Sequence, residues 1–226
     1  MKILVIPDGH GRPNWKRVVN DMYDKIIFLG DYMDSFEFTH KECFQMLQEI
    51  VYFKKANPDR VVLCIGNHDL HYIFFNTPLF DELKASGFNE RIAWSANQFY
   101  NENLKEFVPL YQIDNYLFSH AGITNSAWTE YFLPKYSGQH IDEFVNELWT
   151  KRDRALFTIG EKRGGSDLYG SIFWADAREH YNNYLDGYDQ IVGHTPVQKI
   201  NKLQRKNESI TFVDKYPQDN YLIMEV

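Results

Sequence analysis

Five short apolar runs, each stopping at a cluster of glycine, aspartate, asparagine and histidine, constrain this chain more than any other feature. Residues 2–6 run into Asp8-Gly9-His10, residues 25–29 into Gly30-Asp31-Tyr32-Met33-Asp34, and residues 60–65 into Gly66-Asn67-His68-Asp69. Further along, 116–118 precedes Ser119-His120-Ala121-Gly122, and 190–192 precedes Gly193-His194-Thr195. Short β-branched runs bounded by Gly and Asp predict buried strands, and open α/β sheets gather ligands at the carboxyl ends of such strands. All five polar clusters are therefore expected along one rim.

Between the runs, Trp15, Val18, Val19 and Met22 within 14–24 recur at helical spacing, as do Cys43, Phe44, Met46, Leu47, Ile50, Val51 and Phe53 within 39–55. The first third thus reads strand, helix, strand, helix, strand. Crossovers of that length join parallel strands, which predicts a doubly wound α/β unit. Residues 88–106 read as a helix or two after a break at Ser86-Gly87. Segments 71–109 and 125–188 read as helical and loop insertions, the second carrying Pro134, Ser137-Gly138 and the polar run 160–167, where substrate choice would be written. Residues 190–192, 209–213 and 221–226 predict three more strands, the last two as antiparallel neighbours. With no internal repeat, low-complexity tract or linker, residues 1–226 read as a single domain.

A chain of 226 residues, 44% hydrophobic and 24% charged, can bury a full core. Its net charge of −7 argues against general nucleic-acid binding and against anionic membranes, while leaving a locally cationic site free to receive phosphate. The two cysteines, Cys43 and Cys64, lack metal-ligand spacing and read as free buried thiols. No run is long enough to span a bilayer and the first residues lack the marks of a signal peptide, so a reducing cytoplasm is expected. Oligomeric state stays open.

The clusters carry the residue types that a two-metal phosphoester hydrolase needs: a carboxylate touching both ions, other hard or borderline ligands, and an open position for water. Asp31 is the natural bridge. Asp8 and His10, two apart at a strand end, would share a face in extended geometry and complete the first ion with Asp31. Asn67, His120 and His194 remain for the second ion. This mixed oxygen and imidazole set suits manganese, with iron or zinc as alternatives. His68 is then free to act as general acid on the leaving oxygen, with Asp34 orienting it, while a hydroxide bridging the ions attacks phosphorus. His40, His71, His140 and His180 lie outside any cluster and read as surface or supporting histidines.

On these motifs the chain resembles the calcineurin-like metallophosphoesterases, and within them the branch of serine/threonine protein phosphatases and their bacterial and phage relatives. The resemblance runs from Ile3 to about Pro196. Ser119-His120-Ala121-Gly122 is similar to that branch's His-Gly/Ala-Gly turn and Phe173-Trp174-Ala175-Asp176 to its apolar-Trp-x-Asp/Arg segment, while Pro196 stands where many phosphodiesterases of the superfamily carry a second histidine. The resemblance implies an α/β sandwich of two mixed β-sheets flanked by helices, with a dinuclear site. It also brings a departure: the phosphate-clamping arginines of the branch are replaced by Ser35-Phe36 and Ile65. Replacement donors could come from Arg178 or Arg12, or from Arg152 and Arg154. The expected activity is phosphomonoester hydrolysis of a phosphoprotein or a small phosphorylated metabolite or nucleotide. Two alternatives stand beside it: a phosphodiesterase or dinucleoside polyphosphate hydrolase, with Phe36, Phe38, Trp128 or Trp174 stacking on a base, and a non-catalytic metal-binding scaffold.

Overall fold

The computed structural model describes residues 1–215 and 221–226. Two mixed β-sheets of five strands each, flanked by helices, give the α/β fold that the resemblance implies. The described residues form two compact units, one made of Met1–Val108 with the C-terminal strand, the other beginning at Pro109.

In the first unit, β1 (Lys2–Ile6), β2 (Lys25–Phe28) and β3 (Val61–Cys64) pair in parallel, with the two-residue β4 (Phe107–Val108) beyond β3. Apart from Lys2 and Lys25 at their starts and Val62 within β3, strands β1, β2 and β3 are buried, as their near-continuous apolar runs require. Strand order advances in one direction from β1 to β4. The unit is thus a run of parallel crossovers without the reversal that a doubly wound sheet needs. The C-terminal strand β10 (Leu222–Glu225) closes the other edge, antiparallel to β1 with Lys2 opposite Glu225 and Val5 opposite Leu222.

Of the two expected crossover helices, one forms in full. Helix α2 (His40–Ala56) starts at a capping box in which Thr39 accepts from the Glu42 amide and Glu42 from the Thr39 amide, and buries Cys43, Leu47, Ile50 and Val51. The segment 14–24 yields only α1 (Trp15–Val18). There the Asn20 side chain donates to the Val18 carbonyl and accepts from the Met22 amide, a local turn that competes with helix extension. After β3 come α3 (Asn67–Ile73), α4 (Phe80–Leu83) and α5 (Glu90–Glu102), the last followed by a short 3₁₀ turn at Leu104–Glu106. Cys43 and Cys64 are free and buried, as expected.

The second unit holds β5 (Leu110–Ile113), β6 (Tyr116–Ser119), β7 (Asp189–Val192), β8 (Asn201–Gln204) and β9 (Ser209–Phe212), in the order β5-β6-β7-β9-β8. Helices α6 (Asn125–Ala127) and α7 (Ile141–Thr150) lie in its long insertion, α7 burying Ile141, Phe144, Val145 and Leu148. Strand β9 is buried throughout and sits between β7, parallel, and β8, antiparallel. The expectation that the last two strands would be neighbours is therefore wrong: β9 pairs with β7 and β8, and β10 with β1. The half-exposed alternation of β10 suits the sheet edge it occupies. No helix of the described residues is long and apolar enough to cross a membrane.

Candidate metal and phosphate site

Asp8, His10 and Asp31 converge in the first unit, each offering a ligand atom within 4.8 Å of the others. The expected extended geometry at Asp8–His10 does not hold. Strand β1 ends at Ile6, and His10 has φ +43. What brings the residues together is a loop laid against the end of β2, with the amides of Gly9, His10 and Gly11 donating to the carbonyls of Gly30, Asp31 and Tyr32. His10 Nε2 then lies 3.8 Å from both Asp8 Oδ2 and Asp31 Oδ2. Its Nδ1 is 2.6 Å from the Asp34 carbonyl and 3.1 Å from that of Met33, which can only accept, so Nδ1 carries the proton. In the neutral ring the Nε2 lone pair therefore faces the two buried carboxylates. A metal-ligating histidine is fixed in this way through its other nitrogen.

The close approach of β2 and β3 sets Asp31 in place. A Cβ at Gly30 would stand 2.3 Å from the Gly66 amide nitrogen, and one at Gly66 would stand 2.1 Å from Asp31 Oδ1, so both positions demand glycine. Asp69, fully buried, accepts from the amides of Asp31, Tyr32 and Gly66 at 2.8–2.9 Å and from the Tyr100 hydroxyl at 2.6 Å. Burial and the neighbouring Asp31 charge push its carboxyl up to about 6, against the pull of those hydrogen bonds. Its place in the Gly66–Asp69 cluster gave Asp69 no role of its own; here it braces the backbone that presents Asp31. Asn67, the first residue of α3, is buried as well.

Beside this cluster, His68 Nδ1 lies 3.0 Å from Asp34 Oδ2, and the His68 amide donates to Asp31 Oδ1 at 2.8 Å. Burial works against a charged His68 ring, yet the charges of Asp31 and Asp34 and the Asp34 hydrogen bond push its pKa up to about 9. Asp34 is also buried, which disfavours its anion, but hydrogen bonds from His68 and Tyr72 and the close His71 ring hold it well below the usual carboxylate range. The expected His68–Asp34 pair is therefore formed. His71 and Tyr72, on the same carboxylate, were not singled out by spacing for this role.

In the second unit, His120 follows β6 and His194 follows β7, the parallel neighbour of β6. Both are buried, with His120 Nε2 and His194 Nδ1 3.0 Å apart. Ligand bonds of about 2.0–2.1 Å put adjacent donors on one ion roughly that far apart, so the pair is compatible with shared coordination. Trp174 meets His194 edge-on at 6.3 Å.

Of the candidate arginines, Arg12 donates to the Asp8 carbonyl at 3.3 Å. Arg178 is exposed and grips Asp176 with both Nε at 2.7 Å and an Nη at 3.2 Å. Arg154 is tied to the Phe157 carbonyl and to Asp167. Arg163, missed in the sequence, lies 2.9 Å from Asp176 and donates to Thr195 Oγ1 at 2.9 Å, one residue from His194. Burial raises and the two arginines lower the Asp176 carboxyl, with a net shift below its ordinary value. No spacing rule links Arg163 to Thr195. Of the remaining histidines, His40 and His140 flank helix starts, while His180 and His71 are buried.

A sequence model of the family described as calcineurin-like phosphoesterase matches residues 1–211. Among solved structures, a cold-active protein-tyrosine phosphatase of the psychrophile Shewanella sp. is similar over 94% of this chain and 70% of its own, at 15% identity and TM-score 0.59. A protein serine/threonine phosphatase from Saccharomyces cerevisiae is similar over 94% of this chain and 67% of its own, at 14% identity and TM-score 0.54. At such identities the likeness is one of fold. No curated protein matches the chain.

Proposed function

This chain belongs to the calcineurin-like phosphoesterases, and from that premise we propose a dinuclear, manganese-loaded phosphomonoesterase acting on a phosphoprotein or a small phosphorylated metabolite or nucleotide. Membership makes it a metal-dependent phosphoesterase, a hydrolase of phosphoric esters. The ion pair, the identity of the metal and the monoester preference are the proposal.

The observation that carries it is the convergence of Asp8, His10 and Asp31, with His10 locked through Nδ1, beside the His68–Asp34 pair. Two carboxylates and one imidazole form a donor set suited to manganese, with iron or zinc as alternatives. Asn67, His120 and His194 stay the proposed ligands of a second ion, on the motif order that the family resemblance supplied. Divalent ions bound in this way supply Lewis acidity toward phosphoryl oxygens and water of lowered pKa.

The chain's own residues account for the other half of the chemistry. Asp34 holds His68 through Nδ1, which leaves Nε2 to hand its proton to the departing oxygen. The hydrogen-bonded Asp34 carboxylate favours the protonated His68 ring. For anchoring a phosphate, Arg178 and Arg12 stay proposed donors, and Arg163 joins them. Its guanidinium reaches Thr195 beside His194 and, like that of Arg178, also lies against Asp176.

The test is hydrolysis by the purified protein with added manganese. We expect p-nitrophenyl phosphate to be cleaved faster than its bis ester, and His68→Asn to lower kcat by about 10²-fold or more, the usual size of a lost general acid. Untouched p-nitrophenyl phosphate, with Asp31→Asn indistinguishable from wild type, would sink the reading. Preference for the bis ester would move it to phosphodiester hydrolysis.

A further inference from the structure

Besides His68, which meets Oδ2, each oxygen of the Asp34 carboxylate is met by a further side chain of α3. The Tyr72 hydroxyl donates to Asp34 Oδ1 at 2.6 Å, a short charge-assisted bond, and His71 Nε2 makes a close, angled contact with Oδ2 at 2.8 Å. Both side chains are fully buried. Each is itself held by a backbone amide of one short segment between α4 and α5. The Ala85 amide donates to His71 Nδ1 at 3.2 Å, and the Asn89 amide donates to the Tyr72 oxygen at 3.2 Å.

The first of these bonds settles the tautomer. A backbone amide can only donate, so His71 Nδ1 is the acceptor and the ring proton sits on Nε2, toward Asp34. Between the two anchor points lies Gly87, at φ +87, where a Cβ would come 3.1 Å from Asp34 Cβ and 3.4 Å from its Cγ. The loop thus presses on the carboxylate from outside while its amides steady the two groups that grip it. Phe88, from the same loop, packs edge-on to His71 at 5.1 Å.

We propose that His71 and Tyr72, clamped by the 85–89 segment, are positioning residues for proton delivery: they fix the rotation of Asp34 so that Oδ2 faces His68 Nδ1. Neither touches substrate. The inference rests on His68 being the general acid of the phosphoesterase reaction. It gives the insertion between α3 and β4 a part in catalysis that none of the five motifs indicates.

The experiment compares a good and a poor leaving group, because a mispositioned acid matters more when the departing oxygen is basic. With manganese added, kcat is measured on p-nitrophenyl phosphate and on phenyl phosphate for wild type, Tyr72→Phe, His71→Met, His71→Gln and His68→Asn. We expect the phenyl-to-nitrophenyl kcat ratio to fall about tenfold in Tyr72→Phe and His71→Met, the scale of one lost hydrogen bond to a charged group. Glutamine, whose amide can occupy the Nε2 donor position, should restore most of the ratio. In an Asp34→Asn background the same substitutions should add nothing further, because they act through that carboxylate.

Equal loss on both substrates, or an effect that persists without Asp34, would overturn the inference. A His68→Asn variant whose ratio equals that of the wild type, or a wild type with no metal-dependent turnover, would instead sink the underlying assignment. Should Tyr72→Phe fail to fold, the His71→Gln and His71→Met pair decides, since both remove the same ring and only one returns the donor.

Discussion

His10, Asp31, Asp34 and His194 adopt φ values of +43, +53, +59 and +61, the left-handed region that costs a non-glycine residue on the order of 1 kcal/mol or more. Aspartate and histidine tolerate it better than most residue types, and hydrogen bonds hold the conformation in place: the His10 amide on the Asp31 carbonyl at 2.7 Å and the Asp31 amide on Asp69 at 2.9 Å. Elsewhere a single buried histidine ties stability to acidity. His180 is fully buried, and its Nε2–H donates to the Ala121 carbonyl at 2.9 Å. Burial, despite that bond, pushes its pKa down to about 4. An unfolded chain takes up the proton near pH 6.5, about the ordinary histidine value. From there down to about 4 the unfolded state binds more protons, so native stability falls as pH falls, with no further loss below. The full interval amounts to roughly 3 kcal/mol. Denaturant titrations at pH 7 and pH 4 should show the wild type losing that much more stability than His180→Gln. Equal losses in the two proteins would mean that the native ring takes up its proton at the same pH as the unfolded one.

At the scale of elements, α2 is the crossover that joins β2 to its parallel neighbour β3, and its capping box is local enough to test alone. Thr39→Ala removes the acceptor for the Glu42 amide and should lower unfolding stability by about 1 kcal/mol, read as a shift in denaturation midpoint at constant slope. An unmoved midpoint would show that water caps the helix as well. The same element explains what could be read before any coordinates. Helix α2 carries both a start signal and an apolar stripe, and β1, β2 and β3 are near-continuous apolar runs, so all four were legible. Strand β8, Asn-Lys-Leu-Gln on a sheet edge with its residues mostly exposed, has no such pattern, and β4 is too short to show one. The site divides in the same way. Asp8, His10, Asp31, Asn67, His68, His120 and His194 follow strand ends in recognisable clusters. Asp69, His71, Tyr72 and Arg163 act through partners 31–38 residues away in sequence, a separation at which periodicity carries no information.

For the molecule as a whole, a net charge of −7 repels a phosphate dianion, so its capture depends on a local positive field. Bound cations would supply that field and would also stabilise the native state, because an unfolded chain cannot gather Asp8, His10 and Asp31 around one ion. At a free manganese concentration 100 times the dissociation constant, one site adds about 2.7 kcal/mol. Calorimetry should therefore show a melting temperature that rises with manganese, returns on chelation, and responds much less in Asp8→Asn and Asp31→Asn. A response unchanged in both variants would place the ion elsewhere. Met1 and Val226 are hydrogen-bonded neighbours, the Met1 ammonium on the Val226 carbonyl at 2.5 Å and the Val226 amide on the Met1 carbonyl at 2.9 Å. Joining Met1 to Val226 through a few flexible residues, and opening the stretch 1–226 instead at the exposed Lys206-Asn207 turn, would give a circular permutant that keeps the described ladders.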